Sequence, residues 1–214
     1  MHPPHRSVGV GGRGSSIMGL YAWPDETIND QLLAAPTQVV LVAEQPDADT
    51  QAAMALFEQA IADRSAMHCE RVEIARLDAG LNAAGADSVV VFGRELQVLS
   101  AGTELAAVAP ATAGSPAGCD RRVRVELSPA ARWHPVLEGF EPFLSRLAAA
   151  DVSPLPDDAT VLLGGRSITA VEPVAWLRHG HGRAFYTRLR SVADFQQPAF
   201  LRLLLHAVAW VGDP

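Results

Sequence analysis

Two rhythms of apolar and polar positions run along this chain of 214 residues. Val39-Val-Leu-Val42, within Gln38 to Ala43, and Val89-Val-Val-Phe92, after Ser88, are unbroken β-branched and aliphatic runs. Such runs predict strands buried on both faces, as in a parallel sheet. Over 71–77, Val72 and Ile74 alternate with Arg71 and Glu73, which predicts a less buried strand near a sheet edge. Residues 122–127, with Val123, Val125 and Leu127 on one face, and Thr160 to Leu163 predict two more. Between the first runs, Met54, Phe57 and Ile61 recur at helical spacing behind Asp47 or Asp49, either of which can cap the helix. Trp23-Pro24-Asp25 reads as a turn into a short helix with Ile28 and Leu32 inward, stopped at Pro36.

The clearest pattern runs from Pro173 to Val211. Val174 and Trp176 alternate with their neighbours, as do Phe185, Thr187 and Leu189, around the turn His179-Gly180-His181-Gly182. Glycines there permit the positive φ of a tight hairpin. Pro198 suits the first turn of a helix, where its missing N–H is not needed. Phe200, Leu204, Val208 and Val211 then form one stripe, widened by Leu201 and Leu205. Arg202 and His206 are expected on the solvent side.

Leu96, Val98 and Leu99 fit either a strand or a short helix, residues 110–118 are a Pro/Gly/Ala/Ser loop, and Trp133 to Phe143 is turn-rich. Residues 1–17 lack periodicity and read as a disordered tail, with Met18 a candidate start of the folded part. With no repeat or linker, 18–214 is expected to be a single α/β domain.

Composition narrows the function classes. The net charge is −7, and all 17 basic residues are arginine. An acidic balance argues against nucleic-acid backbone binding, and the lack of lysine excludes a P-loop or Schiff-base lysine. No apolar run nears the roughly 18 residues of a membrane span. No hydrophobic leader is visible either, so a cytoplasmic location is expected. Cys69 and Cys119 are too few for a disulfide framework. Each precedes a strand rather than occupying a strand-to-helix elbow, so each is expected to be a packed or surface thiol. Gly9-Val-Gly11-Gly12-Arg13-Gly14 matches a dinucleotide fingerprint without the strand and helix that motif needs. No cofactor is expected. His179 and His181 lack a nearby third ligand, so no metal is expected.

The segment Val123-Arg-Val-Glu, the turn His134-Pro-Val-Leu-Glu-Gly139-Phe, the strand Asp158-Ala-Thr-Val-Leu-Leu163, the hairpin and the final helix together resemble the trehalose-utilisation (ThuA-like) family. The order and approximate spacings agree over residues 121–211. The chain departs from that pattern at Leu189-Arg190-Ser191, where the family has Leu-Gly-His, and at Leu144-Ser145-Arg146-Leu147, where many members have Asp-Glu-Leu-Tyr. The family's helix and Gly-rich strand have no counterpart in 93–120. The resemblance implies a flavodoxin-like, class I glutamine amidotransferase-like layered sheet with helices on both faces, plus the C-terminal hairpin and helix. It also implies a role near the metabolism of sugars.

In open α/β sheets, ligands bind beyond the carboxyl ends of the strands. Those ends supply Glu44 and Gln45, Gly93 with Arg94 and Glu95, and Arg190 with Ser191; Tyr186 and Arg188 fit the same edge. Arginines beside carboxylates and an aromatic suit a polyhydroxylated or anionic small molecule. The plainer reading makes Arg94 and Glu95 solvated loop charges. His134 carries two readings, a turn residue bonded to local backbone or a ligand contact. The expected function is binding of a sugar-related small molecule or a partner, with no catalytic residue assigned. The alternatives are an enzyme on a disaccharide or keto-sugar derivative, with Glu44 as base, and a structural subunit of a homo-oligomer.

Overall fold

Runs of β-branched residues with no polar member cannot face water on either side, and here they become the centre of one sheet. The computed structural model describes residues 37–44, 47–63, 66–73, 86–93, 95–100, 121–147, 155–180 and 182–213. The expected tail, the start at Met18, the helix near Ile28, the 110–118 loop, and Gln45, Arg94, Cys119 and His181 lie outside those residues. The strands are β1 (Thr37–Ala43), β2 (Met67–Arg71), β3 (Ser88–Phe92), β4 (Leu96–Ser100), β5 (Arg121–Leu127), β6 (Phe143–Leu147), β7 (Thr160–Arg166), β8 (Val171–Gly180) and β9 (Gly182–Thr187). They form one sheet in the order β2-β1-β3-β4-β9-β8-β7-β5-β6.

The class is α/β, and the strand directions are mixed. β1 runs parallel to both β2 and β3. Every other neighbouring pair is antiparallel. Part of the reason is connection length: β3 to β4 and β8 to β9 are hairpins, which can only reverse the chain. Leu96–Ser100 therefore resolves as a strand rather than a helix. The β8–β9 turn closes on Gly182 at φ 145°, a backbone conformation that glycine adopts without strain. The edge strand expected over 71–77 is corrected: the sheet edge is β2, Met67–Arg71, which shares only Arg71 with that span, while 72–73 are not strand and 74–77 lie outside the described residues. β6 was not expected at all.

Three helices are described: α1 (Ala48–Ala62), α2 (Val192–Phe195) and α3 (Pro198–Gly212). Asp47 caps α1 by accepting the Thr50 N–H at 2.7 Å. Ala53, Met54, Phe57, Ala60 and Ile61 turn inward at helical spacing. Burying a side chain the size of Phe57 contributes about 1.5–3 kcal/mol. Among the described residues all three helices join one apolar cluster on one face of the sheet, with Val39, Leu41, Val90 and Phe92. Val40, Val42, Val89, Val91, Trp176 and Tyr186 form a second cluster on the other face.

The expectation that Arg202 and His206 face solvent is corrected. Both are buried, as is every residue of α3 from Arg202 to Val211. The helix lies between the sheet and the turn around Pro135, so its polar positions have no outer face. Arg202 Nη1 donates to the Gly139 carbonyl at 2.8 Å, which gives this buried charge a partner in that turn.

Candidate functional site

A cavity of about 480 Å³ opens where β1 and β3 end. Phe92, Gly93 and Leu96 line it from the sheet, and Asp47 and Thr50 line it from the start of α1. The loop after β9 adds Arg188, Arg190 and Ser191, and the β5–β6 pair adds Arg122, Ser145 and Arg146.

Local structure fixes the rim. Ser191 and Asp194 form a capping box: the Asp194 N–H donates to Ser191 Oγ, and the Ser191 N–H donates to Asp194 Oδ2 at 2.9 Å. The buried Asp194 carboxylate also accepts the Ser145 hydroxyl on Oδ1 at 2.5 Å, tying α2 to β6. Arg190, one residue before the cap, donates to the Gly93 carbonyl at 3.2 Å and so joins the ends of β9 and β3. Asp47 stays below the usual carboxylate range, mainly through the Thr50 backbone N–H, with a smaller contribution from Arg190. Arg188 donates to Glu172 Oε2 at 2.8 Å, and Arg121 holds the same carboxylate from the other side.

The sequence-derived candidates do not all converge. Arg188 and Arg190 line the cavity. Glu44 is adjacent, with its N–H on the Phe92 carbonyl and its carboxylate packed over Gly93. A Cβ at residue 93 would lie 2.5 Å from that carboxylate, so a larger residue there would make the Glu44 side chain swing aside. Glu44 is not itself a lining residue. Tyr186 lies on the opposite face, its ring stacked 5.8 Å from Trp176. Burial pushes the Tyr186 phenol above its ordinary value, partly offset by Arg178, while nearby Asp158 and Glu95 push it further up. Glu95 thus belongs with Tyr186 rather than with the cavity.

His134 is remote from the cavity. It caps the 3₁₀ turn Pro135–Leu137, its Nδ1 accepting the Val136 N–H at 3.3 Å. Its ring meets Trp210 edge-on at 5.2 Å. Trp210 is near the end of α3, and Gln197, which lines the cavity, immediately precedes that helix. At 1.5 Å per residue the two are roughly 20 Å apart. His179 also meets Trp210, at 5.3 Å, and Arg183 lies over the same indole. Burial, then His179 and Arg183, hold the His134 imidazole below its usual value of 6.5. The folded chain therefore resists a proton that the unfolded chain accepts, so His134 stabilises the fold fully above about pH 6.5. That contribution is lost as pH falls through the lower folded value. We expect the urea midpoint to fall between pH 7.5 and 5.5, and His134→Asn to flatten that slope; an unchanged slope in the variant would refute the assignment.

Among the described residues, no three His, Cys, Asp or Glu side chains come together in a way that could hold a metal. Burial and the nearby Glu58 raise the Cys69 thiol to about 11, so thiolate chemistry is suppressed there at neutral pH. Sequence reasoning missed Ser145, Asp194, Arg122 and Arg146 as cavity residues. Only the β5–β6 register brings the last two together.

A solved structure places this architecture. A protein from Parabacteroides merdae described as ThuA-like superposes with a TM-score of 0.58, covering 83% of this chain and 90% of its own at 12% identity. The fold is that of a ThuA-like protein. No family model matches the chain, and no curated protein sequence does. No described helix is long and apolar enough to cross a membrane.

Proposed function

We propose that this ThuA-like-fold domain binds a sugar-related small molecule in the cavity at the ends of β1 and β3. One observation carries the reading: apolar Phe92 and Leu96 and polar Arg188, Arg190 and Ser191 line a single small-molecule-sized space. The parallel order β2-β1-β3 is the start of the flavodoxin-like order, in which ligands sit at the β1/β3 switch point. Asp47 after β1 and Phe92 and Gly93 at the end of β3 line the cavity, which supports a ligand near that position. The likeness of residues 121–211 to the trehalose-utilisation family directs the choice of ligand toward sugars. Binding is favoured over turnover because Glu44, the base of the enzymatic alternative, lies outside the lining.

A ligand that binds only the folded state raises apparent stability. In a thermal-shift screen of disaccharides, keto-sugars and sugar acids, at least one class should raise Tm by several degrees. Arg190→Ala should abolish that shift. No shift with any class would favour a structural role for the domain.

A further inference from the structure

Among the described residues, six arginines of this acidic chain sit in ion pairs. Arg71, Arg121, Arg166, Arg178, Arg183 and Arg188 each face a carboxylate within ion-pair distance. Arg122 and Arg146 do not, among the described residues. Instead they stand directly opposite each other across β5 and β6. Like charges at directly opposed positions of an antiparallel pair repel and destabilise the sheet. Both side chains are exposed, and both line the cavity. A pair that breaks a local rule without internal compensation marks a place where function has set the sequence.

We propose that Arg122 and Arg146 form an anion subsite of the cavity, taking a carboxylate or phosphate group carried by the ligand. The inference rests on the reading of the cavity as the ligand site and names the chemical class it selects. Two guanidinium forks on neighbouring strands can each offer paired N–H donors to oxyanion oxygens, and charge-assisted bonds of this kind are about twice as strong as neutral ones. Arg188 is committed to Glu172, and Arg190 reaches the Gly93 carbonyl, so neither duplicates this role. Arg124, two residues along β5, is also exposed and without a carboxylate partner among the described residues, but it does not line the cavity. It therefore serves as a control for unspecific positive charge.

The test is calorimetric titration of the full chain at low ionic strength with glucose, glucuronate, glucose 6-phosphate and inorganic phosphate. The two anionic sugars should bind about tenfold or more tightly than glucose. Arg122→Gln and Arg146→Gln should each lose about that factor for the anionic sugars and much less for glucose, while Arg124→Gln changes none of them. Without ligand, melting of Arg122→Gln should be unchanged or raised, because a repulsion has been removed. Equal loss in Arg124→Gln would mean general electrostatic attraction and would overturn the subsite. Glucose binding that Arg190→Ala abolishes, with no preference for the anions, would overturn the subsite and leave the cavity reading standing. If no probe binds, both readings fall.

Discussion

Replacing Phe195 with alanine is expected to lower the unfolding free energy by about 3–5 kcal/mol, the range for deleting a buried phenyl ring. Phe195 is fully buried and is the shared member of an aromatic cluster. Its ring packs on Phe57 of α1 at 6.4 Å, Phe92 of β3 at 5.6 Å and Phe200 of α3 at 5.2 Å. Aromatic contacts of this kind add about 0.5–1.5 kcal/mol per pair beyond area burial. α2 itself is only four residues long, so propensity contributes little to holding it. The ring instead anchors the segment that presents Asp194, Ser191 and Arg190 to the cavity. Equilibrium unfolding in urea checks the energy. A loss under about 1 kcal/mol would show that the cluster closes without Phe195. Phe195→Leu should lose less than the alanine variant, because more of the space stays filled.

Much of this architecture was legible in the sequence, for reasons that also explain what was not. Val89 to Phe92 read correctly as a strand because a residue run buried on both faces has no polar member to mislead. The hairpin read correctly because Gly182 marks its turn. Helix α3 was placed to within a residue by Pro198 and its stripe, yet the direction of Arg202 and His206 came out reversed. A stripe tells which side is most apolar; it does not tell that a turn 60-odd residues earlier in the chain covers the other side, where Gly139 accepts a bond from Arg202. β6 was missed because Phe143-Leu-Ser-Arg-Leu147 is short, and its inward serine makes sense only beside Asp194, a partner from a distant segment. The site divided along the same line. Arg188 and Arg190 follow from the rule that ligands gather at strand ends. Tyr186 sits two residues before Arg188, and that spacing misled, because Tyr186 packs with Trp176 in the cluster on the opposite face. Arg122 and Arg146 become neighbours only through a cross-strand register that neither segment encodes alone.

Glu172 should be a sensitive charged position in the described structure. Its carboxylate is buried and held on both sides: Arg121 donates to Oε1 at 2.9 Å, and Arg188 donates to Oε2 at 2.8 Å. Arg188 is nearly as buried, with 11% of its side chain exposed, whereas Arg121 is 41% exposed. Removing one member of a buried ion pair leaves the other charged and unpaired, at a cost of about 3–5 kcal/mol. Glu172→Ala is therefore expected to destabilise by up to that order, through loss of the buried carboxylate that both Arg188 and Arg121 bond. Arg121→Ala should cost much less, because an exposed pair contributes at most about 1 kcal/mol. The double variant Glu172→Leu with Arg188→Leu should recover most of the loss, since replacing both charges by apolar groups of similar volume is often neutral. Denaturant unfolding of the three variants checks this ordering. A Glu172→Ala protein within 1 kcal/mol of wild type would mean that water reaches Arg188 and the pair is not a buried one. The same set separates scaffold from site: in the double variant stability returns, yet Arg188 no longer lines the cavity with charge, so any ligand contact it makes is lost while the fold persists.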